Sequence, residues 1–500
     1  MKKIRVHNFA FSILNILYFV GAVLSVFICG FNRFNQLTCY SSIVCLPLCF
    51  LICFMIISGF NRNGSITINI VLFCAFLRYV VLPAFQSINP VYRFAKYECT
   101  DTALIDKSIF LMCYELLFIS IFFAMYARTH KTAIKDFVSL AKNSGQSIER
   151  FPPKDNMYGA IILFCCFSVS LGFLNRNIFK QISFIVIKSN SGTRVGQISS
   201  NSTSLDMILR QIFVIGIFSL FVVFVTSLKR KLYNSRPRMA VNLSLLAALC
   251  CIGIIIAEQR SSQIYCAFAS IVLLVQMFSE YKKRIFRVLI AGAAVVLAML
   301  TIYKTFYAFR YGSYLDAISN SSSSMNDLVQ TMEIYLLGPL SVSSAIKFGS
   351  AFGGISLSQL LYDICRSSIG LSFLVKSQDS VLTSASYNLF VTSGNHTSGF
   401  LLPITGQGYL TFGIIFSPVL ICICFYAAFK LEKVMLTSKS AYVVYFSAYV
   451  FIRLATCMVS SNLNTVLNAA TSILISAGVV YTIQWLLIKM AGTRKRYSDK

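Results

Sequence analysis

The sequence predicts an all-α, polytopic integral membrane protein of about twelve transmembrane helices, with a large outer loop before the last three. Three observations lead there. Hydrophobic residues make up 57% of the 500 residues and charged ones 12%, with a mean hydropathy of +0.73, which no soluble globular chain shows. Apolar runs of about twenty residues, long enough to cross the hydrocarbon of a bilayer, recur along the whole chain. Basic residues collect in alternate connecting segments, as the positive-inside bias requires.

A window of span length places helices at 9–30, 37–58, 65–85, 108–127, 157–174, 205–228, 240–257, 263–280, 288–308, 404–428, 441–459 and 468–488. With the N-terminus inside, the C-terminus is inside too. The inner segments then carry 27 of the 44 Lys and Arg residues, the outer segments 13 and the spans 4. This asymmetry absorbs most of the net charge of +27, so clusters such as KRKLYNSRPR are topology signals and nucleic acid is not an expected partner. The first apolar run is followed at once by others, so it reads as a span and not as a cleavable signal peptide.

Most of the seventeen cysteines sit in apolar runs, where a thiol acts as a small hydrophobe. Cys99 and Cys365 fall outside the spans, as two free thiols or as a disulfide pair. No Cys/His metal spacing and no Gly-rich phosphate loop occurs, so neither a metal nor a cofactor is expected. The inner segments are too short for a nucleotide-binding domain.

The informative material is outside. Segments 175–204 and 309–403 are the long outer stretches, expected to cap a single membrane domain of 1–500. The first is basic, carrying Arg176, Lys180, Lys188 and Arg194. Within the second, EIYLLGPLSVSSAI and IGLSFLV are apolar but too short or interrupted to span, so they read as helices on or dipping into the interface.

Four cations lie inside spans: Arg78, Arg210, Lys304 and Arg453. All four fall roughly 6 to 10 Å from the outer end of their helix at 1.5 Å per residue. A shared depth suits a site for lipid phosphate or pyrophosphate just below the outer surface, since guanidinium groups grip such oxygens in pairs. The alternatives are snorkelling for Arg210 and Lys304 and, for Arg78, neutralisation by Glu115 on the next helix. Arg260 stands in the turn AEQRSSQ at a helix start, where backbone amides also favour an anion. His396, in SGNHTSGF, is the one histidine on the outer side, able to take a proton from an attacking hydroxyl. Asp316, Asp327, Glu333, Asp363 and Asp379 are further candidate bases that spacing does not rank.

Two stretches carry a resemblance. EIYLLGPLSVSSA at 333–345 contains a Tyr-x-x-Gly-Pro pattern, and GQGYLTFG at 406–413 resembles Gly-Glu-x-Tyr-x-x-Phe-Gly, with Gln407 in place of the acid. With the span number and the late outer loop, the chain resembles the bacterial oligosaccharide repeat-unit polymerases, the Wzy-type O-antigen polymerases. The resemblance implies a GT-C-like membrane glycosyltransferase in the bacterial inner membrane, with both termini cytoplasmic and the active site facing the periplasm. Its substrate would be an oligosaccharide on undecaprenyl pyrophosphate, its product O-antigen or a related surface polysaccharide, and a chain-length regulator its protein partner. Arg260 and Arg310 resemble family arginines, and His396 lies near a histidine of the related O-antigen ligases. Arg78, Arg176, Arg194, Arg210, Lys304, Arg453 and Tyr409 would then hold pyrophosphate or glycan. An O-antigen ligase acting on lipid A core and a lipid-linked oligosaccharide flippase remain as alternatives.

Overall fold

A computed structural model describes residues 2–35, 40–60, 64–94, 96–129, 155–174, 182–184, 204–256, 261–309, 325–375, 380–394, 401–460 and 462–498. Among the described residues the fold is all-α apart from two short ribbons. Each of the twelve apolar stretches falls on helix. Among the described residues five helices are long and apolar enough to cross a membrane, or six if the bent pair Ile404–Phe416 and Val419–Thr437 is one span. Five more, including Cys45–Phe60 and Ala441–Ala455, are apolar but shorter. The chain divides into two compact units, Met1–Ser139 with Ser323–Lys430 and Arg453–Leu467, and Leu140–Ser322 with Leu431–Ile452 and Asn468–Lys500.

The first unit begins with α1 (Lys2–Asn35), α2 (Cys45–Phe60) and α3 (Ile66–Phe76). Cys45 starts α2 later than the sequence predicts, because residues 40–44 form a turn. Ser65 caps α3 by accepting from the amide of Ile68 at 3.5 Å. The helix then widens into a π-turn, Leu77–Val81, before continuing as α4 (Leu82–Ile88). Pro83 gives the reason: it has no N–H to offer, and its ring would strike the carbonyl of Tyr79 in a regular helix. The extra residue of the π-turn, closed by the Leu82 amide on the Leu77 carbonyl, absorbs the conflict.

A ribbon, β1 (Arg93–Phe94) and β2 (Tyr97–Glu98), leads into α5 (Thr102–Thr129). After the second unit's segment the chain returns with α11 (Met325–Leu336), α12 (Pro339–Phe352), α13 (Leu357–Ser367), a 3₁₀ turn at Leu371–Val375 and α14 (Thr383–Thr392). It closes with α15 (Ile404–Phe416) and α16 (Val419–Thr437), bent by 107°. Aromatic rings of α5 and α16 interleave, with Tyr126 stacked on Phe429 at 4.2 Å. EIYLLGPLSVSSAI forms two helices broken at Leu337–Gly338, and α12 is buried along most of its length within this unit. Its apolar and small residues serve close packing.

The second unit holds α6 (Asp155–Leu174), α7 (Ser204–Lys231), α8 (Pro237–Ile252), α9 (Ser261–Met277) and α10 (Lys282–Phe309). It also takes in α17 (Ala441–Ala455) up to Ile452 and most of α19 (Leu463–Ser498), the short α18 (Cys457–Ser460) lying in the first unit. Gly216 of α7 faces Ser168 of α6 so closely that no Cβ fits between them. The Phe218 ring of α7 lies 6.0 Å from Tyr445 of α17. The predicted span 240–257 ends early. Gly253 stops α8, and β4 (Ile254–Ile256) pairs antiparallel with β3 (Ile182–Phe184). The Gln263 side chain donates to the Ile254 carbonyl at 2.9 Å and so holds β4 against the start of α9.

Candidate functional site

The polar centre of the first unit is assembled on the π-turn. Arg78 and Tyr79 are both buried there. The Arg78 guanidinium donates through Nη1 to both carboxylate oxygens of Glu115 on α5, at 3.0 and 3.2 Å, with side-chain exposures of 1% and 0%. The Tyr79 hydroxyl lies 3.1 Å from Glu115 Oε2 and 3.0 Å from the Met112 carbonyl. Neutralisation by Glu115 is therefore what Arg78 shows.

A second donor of Arg78 reaches the turn between α11 and α12. Its Nε donates to the Leu337 carbonyl at 3.0 Å. Leu337 carries a φ of +51°, a left-handed conformation that costs a branched L-residue about 1 kcal/mol or more. It sits between Glu333 and Pro339, and the turn folds the Glu333 carboxylate back over the first amides of α12. Glu333 Oε1 accepts from Leu340 N at 2.5 Å and Ser341 N at 3.1 Å. Gly338 N and Ser341 Oγ both donate to the Glu333 carbonyl. A carboxylate at a helix N-terminus complements the dipole and satisfies amides that Pro at the first position leaves exposed.

A Cβ on Gly338 would meet Glu333 Oε2 and Leu82, so any larger residue would displace the carboxylate from the turn. Glu333 is fully buried, and among the described residues its Oε2 and Arg78 Nη2 have no hydrogen-bond partner. Burial pushes the Glu333 carboxyl up to about 7 against the lowering effect of the Ser341 and Leu340 amides and of Arg78.

A second carboxylate lies nearby in the chain order of the outer segment. Asp363 of α13 is buried and accepts from Gln359 Nε2 at 3.2 Å, Thr383 N at 3.1 Å and, through Oδ2, Gln407 Nε2 at 3.5 Å. Burial raises its carboxyl above the usual range, offset in part by Thr383 and Gln359. Gln407, which stands where the resembling family often has an acid, thus faces an acid from another helix.

The two motif stretches pack on one another. A Cβ on Gly406 of α15 would come within 2.7 Å of Ala345 Cβ on α12, one on Gly349 of α12 within 2.5 Å of Leu410 Cδ2, and one on Gly408 would strike the Ser417 carbonyl. Gly413, with φ +72°, breaks α15 before the bend. Gly406 and Gly408 thus have a steric reason and Gly413 a conformational one. Tyr409 is half-buried, with Lys107 Nζ of α5 at 5.3 Å from its ring centre. Tyr387 is buried, its hydroxyl 2.7 Å from Ser344 Oγ.

Of the other sequence-predicted residues, Arg453 reaches the Thr465 carbonyl through Nη1 at 3.4 Å. Arg210 is buried on α7, beside Gln211, whose amide donates to Asn468 at 2.7 Å. Lys304 falls near the end of α10. Arg176, Arg194, Arg260, Arg310 and His396 lie outside the described residues, as do Asp316 and Asp379. Asp327 is exposed on α11. Cys99 and Cys365 are both free thiols.

Sequence reading passes over Tyr79 and leaves Glu333 and Asp363 unranked among five acids. For Glu333 a signal exists: Gly-Pro marks a helix start, and an acid just before it is the natural dipole partner. No family model, curated protein or solved structure matches the chain.

Proposed function

We propose that the chain is a glycosyltransferase of the bacterial inner membrane that joins oligosaccharide repeat units carried on undecaprenyl pyrophosphate. It would use a twelve-span scaffold, with both termini cytoplasmic and the site on the periplasmic side. The observation that carries this reading is the close packing of α12 on α15 at Ala345 and Gly406, because these helices hold the two stretches that resemble the repeat-unit polymerases.

In the reaction, a sugar hydroxyl of the acceptor unit attacks the anomeric carbon of the donor glycan. The hydroxyl proton passes to a base, the anomeric C–O bond to pyrophosphate breaks, and undecaprenyl pyrophosphate departs with the electron pair. The task needs cations on the departing pyrophosphate, for which Arg260 and Arg310 are the candidates, and a proton acceptor, for which His396 is. Arg78 is engaged by Glu115 and Leu337, and its part is to hold the turn that starts α12.

The test compares cells lacking the gene and supplied with wild type, Arg260→Ala or His396→Ala at equal membrane levels, with surface glycan read as a ladder on a gel. A single repeat unit on lipid A core with no ladder is the expected result. Loss of all surface glycan with lipid-linked polymer retained would favour a ligase, and lipid-linked single units trapped inside would favour a flippase.

A further inference from the structure

Helix α13 keeps an apolar strip on its exposed side. Two of its polar side chains are held inward: Asp363 meets Gln359, Thr383 and Gln407, and the Tyr362 hydroxyl donates to the Ser380 carbonyl at 2.5 Å. Of its three leucines Leu360 is buried and the other two turn outward. Leu357 and Leu361, one turn apart, are 59% and 55% exposed, and Phe373 and Leu374 in the 3₁₀ turn that follows are 67% and 73% exposed. The charges fit a particular occupant. Within 347–375 the charged residues are Lys347, Asp363 and Arg366, of which Asp363 is buried, so every exposed charge on this stretch is positive. The stretch is tied to α15, where the Leu410 carbonyl accepts from Ile355 N at 2.8 Å, and Ile414, Ile415 and Phe416 at the end of α15 are themselves exposed.

We infer that α13 and the Leu371–Val375 turn form a docking face for an anionic lipid surface, lying in the plane of the outer leaflet. At 11 residues α13 is about 16 Å long, far short of a span, so it lies along the interface. Leu357, Leu361, Phe373 and Leu374 enter the boundary of the acyl chains, and Lys347 and Arg366 sit among headgroup phosphates. Docking on one side and the Asp363–Gln407 contact on the other tie the bilayer surface to GQGYLTFG. This anchorage serves glycosyl transfer or any other membrane activity of the chain alike.

The single tryptophan, Trp485, makes the test clean. The full-length chain is taken into a Trp485→Phe background, Leu361→Trp and Phe373→Trp are introduced one at a time, and each is reconstituted into vesicles of phosphatidylethanolamine and phosphatidylglycerol. An Asn326→Trp variant at the exposed, polar start of α11 is the reference, and elution as wild type establishes folding. Lipids brominated on their acyl chains are expected to quench both face positions roughly two-fold or more, with acrylamide ineffective and the reference showing the reverse. Quenching by acrylamide but not by brominated lipid puts the face in water and overturns the inference. Protection from both quenchers means that a second copy or another protein covers the face, and overturns it equally. Quenching that is unchanged when phosphatidylglycerol is replaced by phosphatidylcholine and Arg366 by Glu refutes the anionic component.

Discussion

The Leu337 carbonyl accepts a 3.0 Å hydrogen bond from Arg78 Nε across 259 positions of sequence. Through it a buried cation on the third predicted span fixes the left-handed leucine between α11 and α12. The cation in turn is held by Glu115, so α3–α4, α5, α11 and α12 meet at one guanidinium. Three carboxylate and carbonyl oxygens surround it, and the arrangement is a structural hub of the first unit.

Removing either member of the Arg78–Glu115 pair leaves a buried charge alone. Arg78→Ala and Glu115→Ala are each expected to cost about 3–5 kcal/mol, whereas the joint Arg78→Met and Glu115→Leu replacement costs markedly less. Thermal unfolding in detergent micelles measures all three. Single variants as stable as the wild type would remove the hub.

Glu333 makes stability depend on pH. Its folded carboxyl is raised from the ordinary 4.5 to about 7, so the folded protein holds this proton more tightly than the unfolded chain. Its stabilising contribution is whole below about 4.5, declines as pH rises through the interval to about 7, and is gone above it. At about 1.4 kcal/mol per pH unit the loss is on the order of 3 kcal/mol. Glu333→Gln retains an acceptor oxygen for Leu340 and Ser341 and is expected to flatten this part of the profile. An unchanged slope in that variant would assign the dependence elsewhere.

Gln407→Glu would set a second buried carboxylate against Asp363, now 3.5 Å from the amide nitrogen. Two such groups cannot both ionise cheaply, so the variant is expected to lose roughly 1–3 kcal/mol near neutral pH. Acidification, or Asp363→Asn in the same chain, is expected to restore it. Melting curves at two pH values separate this from a simple packing defect, which neither treatment would relieve.

Gly408→Ala would drive a methyl into the Ser417 carbonyl at the bend between α15 and α16. Backbone cannot yield as a flexible side chain does, and a loss of about 1–3 kcal/mol is expected. Gly413→Ala meets no neighbour but must adopt a φ of +72°, for about 1–2 kcal/mol. The two variants thus fail for different reasons, and Gly413→Asn, tolerant of that conformation, should recover most of the second loss alone.

What the sequence by itself determined was everything that adds up locally. Hydropathy sums residue by residue, so the membrane class, the helical character and the place of each apolar helix were legible, apart from ends such as Gly253 and Cys45 that turn chemistry sets. Glu115 could be named as the neutraliser of Arg78 because both lie on long apolar helices at similar depth. Tertiary structure alone decided which polar groups share an interior. The bond of Tyr79 to Glu115, the reach of Arg78 to Leu337 and the approach of Gln407 to Asp363 each depend on helices brought together from distant positions. A buried polar group is stable only with its partner, and partners are chosen by packing, which no local pattern encodes.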